Sequence, residues 1–463
     1  MPSNRQAPCG EWMTIASVTG SFLRLTRRPE ARHAGILTFG SIAAQVVLLA
    51  TAPWLSRLFS PAAFGVFSLL LTISTIGGSI GGLCYEMAVV LPRSRRAAVH
   101  LFRLSLVLSL VTPAMVVGLL VVVQHFFPRI LGRTLPADFY LYCLAATALT
   151  AHLNILSCSH SRAGQYGAVS VCKFTQSLAP AVCQIVLALA GMAGEGLLLG
   201  RVLGLWASEL WLMRGQPEGF RLRDLGGTRI NAMVAVSRTY RDFLLQVPRQ
   251  LLVRGATMLP AALLLGAYGP TVAGFYFFAQ RLVERPGMLL GDALGRVPLR
   301  QFALRVQQRK RLTRAALLYT LAVGTPVVAG VVVLALTAHP LFRVLFGARW
   351  EPAADYAFVL GFWAAVRLVS LPLATLTTVL RVQKLSLMVD ALFAARVFVI
   401  PLLAAHHASA LVAVAAFCGL SIVYHLVVIA TGLFATIRYD RSLAPASPTP
   451  ATFNVVREGE TYV

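Results

Sequence analysis

The chain has 463 residues, 57% of them hydrophobic and 13% charged, with a formal net charge of +24. Apolar runs close to the about 20 residues that cross a bilayer recur along its length, which excludes a single soluble core and implies a polytopic, all-α integral membrane protein. In a soluble protein such charge would suggest nucleic acid; here most of the arginine lies in short loops, where it orients spans and meets anionic membrane lipid, so nucleic acid is not an expected partner.

Residues 1–32 read as a cytoplasmic tail with no cleaved signal peptide, because no apolar core with a cleavage site follows the basic residues. Spans are expected at about 33–55, 63–85, 99–123, 138–158, 168–190, 195–214, 244–267, 271–298, 314–337, 355–380, 384–405 and 409–436. Residues 437–463, rich in Pro, Ala, Ser and Thr, read as a flexible cytoplasmic tail. Alternate loops carry most of the charge: Arg93, Arg95 and Arg96, then Arg214 to Arg241, then Arg305 to Arg314. The positive-inside rule places both termini in the cytoplasm. The seven cysteines form no CxxC and mostly sit in apolar runs, so they read as small buried hydrophobes and not as a disulfide frame or metal site.

An internal echo divides the chain. Pro61-Ala62-Ala63-Phe64-Gly65-Val66-Phe67 opens the second span, and Pro270-Thr271-Val272-Ala273-Gly274-Phe275-Tyr276 opens the eighth. A second echo, Arg129-Ile130-Leu131-Gly132 against Arg343-Val344-Leu345-Phe346-Gly347, falls at nearly the same offset. The expected organisation is an N-lobe of six helices at 33–214, a basic cytoplasmic linker at 215–243 and a C-lobe of six helices at 244–436.

The eighth span is the least ordinary. It carries Arg281, Glu284, Arg285, Asp292 and Arg296. At about 100° per residue four of these charges fall within roughly 60° of one another, with Glu284 beside them. A charge at a helix centre costs about 2.5–3.5 kcal/mol, so the stripe must face a bundle interior or a wet cavity. Guanidinium grips phosphate through paired donors and does not deprotonate, so Arg281 and Arg285, one turn apart, suit a diphosphate. Arg254, Arg367, Arg396 and Arg249 are further candidate cations for the same anion, and Glu284 can moderate the repulsion between the arginines or titrate. Arg249, Asp292 and Arg296 lie near a span end, where long side chains snorkel. Pro286 removes a backbone donor within the span and is a candidate hinge or kink. In the first half His152 is the main titratable residue at comparable depth; such a residue is more often a satisfied buried histidine than a proton relay. No Walker A sequence, HExxH or GxSxG is present, so no enzyme activity is expected.

The stretches RLFSPAAFGVFSLLLTIS (57–74), CYEMAVVLPRS (84–94), YRDFLLQVPRQLL (240–252), YGPTVAGFYFFAQRLVERP (268–286) and LFGARWEPAADYAFVLGFWAAVRLVSLP (345–372) resemble the polysaccharide transporter family. These are the Wzx-type flippases of the multidrug/oligosaccharidyl-lipid/polysaccharide exporter superfamily. Where members often carry a basic residue before the Tyr-Glu pair, this chain has Cys84. The resemblance implies a two-lobed, V-shaped bundle in a bacterial inner membrane. It would move an undecaprenyl-diphosphate-linked oligosaccharide between leaflets, alongside other surface-polysaccharide assembly proteins. It implies no cofactor and an H+ or Na+ gradient as the energy source, with Glu284, Glu86 and Asp292 the candidate carboxylates for coupling to that ion. Two rivals differ in what their sites need: a multidrug exporter favours an acidic or aromatic cavity for organic cations, and a membrane glycan polymerase or transferase needs a large periplasmic loop or a carboxylate pair. A non-transporting assembly partner would not need buried arginine.

Overall fold

The computed structural model describes residues 29–126, 135–221, 230–379 and 393–443; side-chain placement is further restricted at 29–34, 285–286, 288–300, 375 and 377–379. Among the described residues the chain is helical and contains no strand. The helices are α1 Pro29–Leu58, α2 Pro61–Ser79, the single turn α3 Tyr85–Ala88, α4 Arg95–Phe126, α5 Ala137–Arg162, α6 Tyr166–Leu189 and α7 Gly194–Arg214. They continue with α8 Ile230–Thr239, α9 Gln246–Tyr268, α10 Pro270–Gln307, α11 Thr313–Phe346, α12 Ala353–Val379, α13 Val399–Ala405 and α14 Ala410–Ser442.

Among the described residues ten helices are long and apolar enough to cross a membrane, and their bounds follow the apolar runs of the sequence. The expected eighth and eleventh spans correspond to α10, which carries the charge stripe, and to the shorter apolar helix Phe393–Ala405; neither belongs to those ten. The expected second span ran to residue 85, but α2 ends at Ser79. Gly77, Gly78, Gly81 and Gly82 weaken the helix there, and Leu83 and Cys84 take positive φ values of 50° and 62°, which no α-helix tolerates. The linker, expected as a basic loop, contains α8 and a 3-10 turn at Arg241–Leu245.

The chain forms two compact units, one of 1–286, 333–361 and 394–418 and the other of 287–332, 362–393 and 419–463. In the first unit, α1 packs on α6, α6 on α7, α2 on α5 and α9 on α2. Small residues allow the close approaches: Gly200 and Gly204 of α7 lie against Gln184 and Pro180 of α6, and the Gln184 amide donates to Leu197 O at 2.8 Å. The Asn154 side chain of α5 donates to Gly78 O of α2, satisfying a carbonyl in that glycine run. In the second unit Phe302, Leu312, Ala316, Leu373 and Leu376 form a buried cluster. There Asp440 of α14 accepts hydrogen bonds from Leu312 N and Thr313 N at 2.7 and 3.0 Å, covering the open amides at the start of α11.

Candidate functional site

The two echoed motifs meet. Each places Pro in the first helical turn, of α2 and of α10, where its missing N–H is harmless. Ser60 caps α2 by accepting from Ala63 N at 3.2 Å. Gly65 lies directly on the Pro270 carbonyl, and Gly274 lies on the Pro61 carbonyl. The contact is reciprocal between the two echoed motifs. A Cβ at either glycine would occupy the other helix's backbone.

An aromatic cluster lies beside this seam. Trp350 is fully buried, and its indole N–H donates to Ser56 O at 2.7 Å. Its ring centroid lies 5.1 Å from Phe64 and 4.3 Å from Phe278, and Phe346 stands 4.9 Å from Phe278. Arg57 and Arg349 reach across with donors to Val344 O and Arg57 O, respectively. The α1–α2 turn, the start of α10 and the α11–α12 turn are thus locked together by rings and backbone contacts.

Two turns along α10 from Gly274, about 10 Å at 1.5 Å per residue, the polar stripe begins. Glu284 is 6% exposed and Gln280 7%. The Gln280 amide donates to Glu284 Oε1 at 3.1 Å and to Thr257 O of α9 at 3.2 Å. Arg281 is half-buried. Arg396 is buried, with its guanidinium carbon 4.6 Å from the centroid of the Phe417 ring. Glu284 and Arg396 both act electrostatically on Tyr276 and on Cys418. Opposite charges therefore share one buried neighbourhood, which lowers the cost of holding each there. Of these groups the half-buried Arg281 guanidinium is the donor that suits an oxygen-rich anion, whereas the Glu284 carboxylate does not.

The remaining sequence candidates are dispersed. Arg249 and Arg254 of α9 are exposed on the protein surface. Arg367 is half-buried and belongs to the second unit. The side chains of Arg285, Pro286, Asp292 and Arg296 lie outside the described residues, as does Asp390; the backbone of α10 runs helical through residue 286. Glu86 lies apart from α10's charges, on α3 between the second and third apolar helices. It is 5% exposed, packs near Gly82 and Ser105, and its Oε2 has no hydrogen-bond partner among the described residues. Burial raises its carboxyl from 4.5 to about 7, partly opposed by its own backbone N–H.

Sequence reasoning missed a partner for His152. Its Nδ1 lies 3.0 Å from Glu209 Oε1 of α7. The pair lines a cavity of about 440 Å³ together with Phe102, Arg214, Phe220 and Arg221. The available signal was an acid in an apolar helix, Trp206-Ala207-Ser208-Glu209-Leu210-Trp211, which needs a polar neighbour.

Among solved structures, the lipid II flippase MurJ in an inward closed conformation superposes with a TM-score of 0.62 at 10% identity, covering 89% of this chain and 90% of that one. An inward-facing multidrug resistance MATE transporter of the MOP superfamily gives 0.53 at 15% identity, covering 88% and 94%. An outward-facing MATE transporter gives 0.50 at 13% identity, covering 91% and 98%. These similarities define the fold, which is the membrane transporter fold the residue pattern implied. No curated protein sequence matches the chain. The polysaccharide biosynthesis protein family matches residues 54–355, a stretch that includes the glycine seam, the aromatic cluster and all of α10, and the chain belongs to that family.

Proposed function

We propose that this protein is a flippase that carries an undecaprenyl-diphosphate-linked oligosaccharide from the cytoplasmic to the periplasmic leaflet of a bacterial inner membrane, for surface polysaccharide synthesis. The observation that supports this reading best is the polar stretch of α10, Gln280 to Glu284, beside a sealed seam in a polysaccharide biosynthesis protein. Moving a diphosphate and sugars through bare hydrocarbon is prohibitive, so a polar path has a clear physical use. The lobes at 33–214 and 244–436 would rock about one another, with both termini cytoplasmic and Pro286 as a bend in α10. Arg281 and Arg285 would hold the diphosphate, with Arg254, Arg367, Arg396 and Arg249 extending the cationic path. Glu284, Glu86 or Asp292 would bind the coupling H+ or Na+. Neighbouring assembly proteins would use the delivered repeat unit.

The test is a lipid extract from cells lacking the gene, with and without its return. Finished lipid-linked repeat units should accumulate facing the cytoplasm and should clear on complementation. The double variant Arg281→Ala, Arg285→Ala should insert normally yet lower export by at least about tenfold, with Lys at either site a partial replacement because the charge remains and the paired donors do not. Normal export from the double Ala variant would sink the assignment of these residues. The MATE structures favour a second reading, a small-molecule exporter. Repeat units that reach the periplasm normally while drug tolerance falls would select it.

A further inference from the structure

The start of α4 forms a second basic site, separate from α10. Arg95, Arg96, Val99, His100, Arg103 and Gly219 line a cavity of about 470 Å³. The four basic residues stand at i, i+1, i+5 and i+8, so one helix face presents them together. Among the described residues no carboxylate lines this cavity. Glu218, the nearest acid in sequence to Gly219, is exposed and is not among the lining residues.

Loop charge for topology does not require such convergence. Arg162 shows the ordinary use of a basic residue: its guanidinium is spent on Val89 O, Val90 O and Pro92 O, at 2.7 to 3.2 Å, where it ties the preceding loop. Arg95 and Arg96 are exposed and, among the described residues, make no ion pair or side-chain hydrogen bond of that kind. His100 Nδ1 is buried and has no hydrogen-bond partner among the described residues. The backbone at Gly219 is shaped to admit Arg95. Its φ is +82°, and a Cβ there would come within 2.6 Å of the Arg95 guanidinium. Phe220 then packs edge-on against Phe102, ring centroids 5.3 Å apart, which holds this backbone over α4. The cavity also lies at the first turn of a 32-residue helix, where Ser94 Oγ already accepts from Ala97 N at 3.1 Å and the helix dipole favours an anion.

We propose that this cavity binds a phosphate ester, carried either by an anionic phospholipid headgroup or by a soluble phosphate compound. Three guanidiniums and an imidazole donor converge on a volume suited to a small polar group. The site holds the beginning of the linker at Gly219 and Phe220, so its occupant would contact the segment that joins the two halves. This inference does not depend on what α10 carries.

The test uses the purified full-length protein in nanodiscs of zwitterionic lipid. Dioctanoyl phosphatidylglycerol and inorganic pyrophosphate are titrated separately and then in competition, with bound ligand read by native mass spectrometry. Arg95→Gln combined with Arg103→Gln should weaken the bound ligand by at least about tenfold, as loss of two charged donors to one phosphate predicts. Gly219→Ala, which keeps every charge but displaces Arg95, should weaken it several-fold. Arg311→Gln with Arg314→Gln removes the same net charge from exposed residues of the second unit and should leave affinity within about twofold. Phosphatidylglycerol binding that pyrophosphate cannot displace identifies a lipid site; pyrophosphate binding alone identifies a soluble phosphate site. Equal affinity in the Arg95/Arg103 variant and the unmodified protein, or an equal loss in the Arg311/Arg314 control, overturns the proposal. Thermal melting of each variant separates lost binding from lost fold.

Discussion

The seam between α2 and α10 and the polar stretch further along α10 occupy one helix yet are built by opposite rules. The seam is neutral: Gly65 and Gly274 bring backbones into contact, and Trp350, Phe64 and Phe278 fill the space beside them. Its stability comes from shape, and the donors that reach across it, from Trp350, Arg57 and Arg349, end on backbone carbonyls. The polar stretch is charged: Glu284 is held by Gln280, and Arg396 shares its surroundings. Charges there stay costly unless matched, so the arrangement stores interactions that an anionic cargo or an ion could exchange. A contact made of glycine and rings can separate and re-form without leaving a bare charge behind. That property suits the part of a transporter that has to open, whereas the matched charges suit the part that has to bind.

Three changes would break or sharpen this contrast. The largest effect is expected at Trp350→Ala, which removes a fully buried ring from the cluster and leaves Ser56 O without its donor; the cost should be about 3–5 kcal/mol, read by thermal or denaturant unfolding. Trp350→Phe should recover most of the packing but not the hydrogen bond. Next is the pH dependence imposed by Glu86, whose carboxyl is raised from 4.5 to about 7 by burial. The folded state then binds the proton more tightly than the unfolded chain. Stability should be greatest below about pH 4.5, fall by up to about 3 kcal/mol as pH rises to about 7, and level off above it. Glu86→Gln should flatten that slope and raise the melting temperature at pH 8; an unchanged slope would remove Glu86 as its source. The smallest expected loss of stability, about 1–3 kcal/mol, comes from Gly65→Ala or Gly274→Ala, since each added methyl must push apart two backbones. Its functional signature should be sharper than its energy. In a background with the native cysteines replaced by Ala, a Ser56→Cys reporter, buried when the seam is closed, should gain maleimide reactivity in either glycine variant. An unreactive reporter would show that the seam tolerates the methyl by local adjustment.

The sequence patterns carried the helices well where hydrophobicity decided them. Of the twelve spans expected from apolar runs, ten coincide with apolar helices of membrane length among the described residues, and the repeated Pro-x-x-x-Gly placed the starts of α2 and α10. They failed at the end of α2, where consecutive glycines kept the apolar character while weakening the helix, so hydropathy saw a span that the backbone did not continue. The charge stripe of α10 marked Glu284, and the structure buries it. It did not distinguish Arg254, which lies exposed, from Arg396, which is buried against Phe417, because residue type and depth say nothing about which way a helix is turned.

What the sequence determined by itself is the class of molecule: a helical membrane protein with two echoed starts and an uncommon charged helix, all consequences of local composition and period. Tertiary structure decided which residues meet. Gly65 finds Pro270 and Gly274 finds Pro61 across more than two hundred positions. Glu209 finds His152, and Arg95 finds the backbone of Gly219. Those pairings depend on how helices rotate and approach one another, and that is set by packing summed over the whole bundle, which no single stretch of chain encodes.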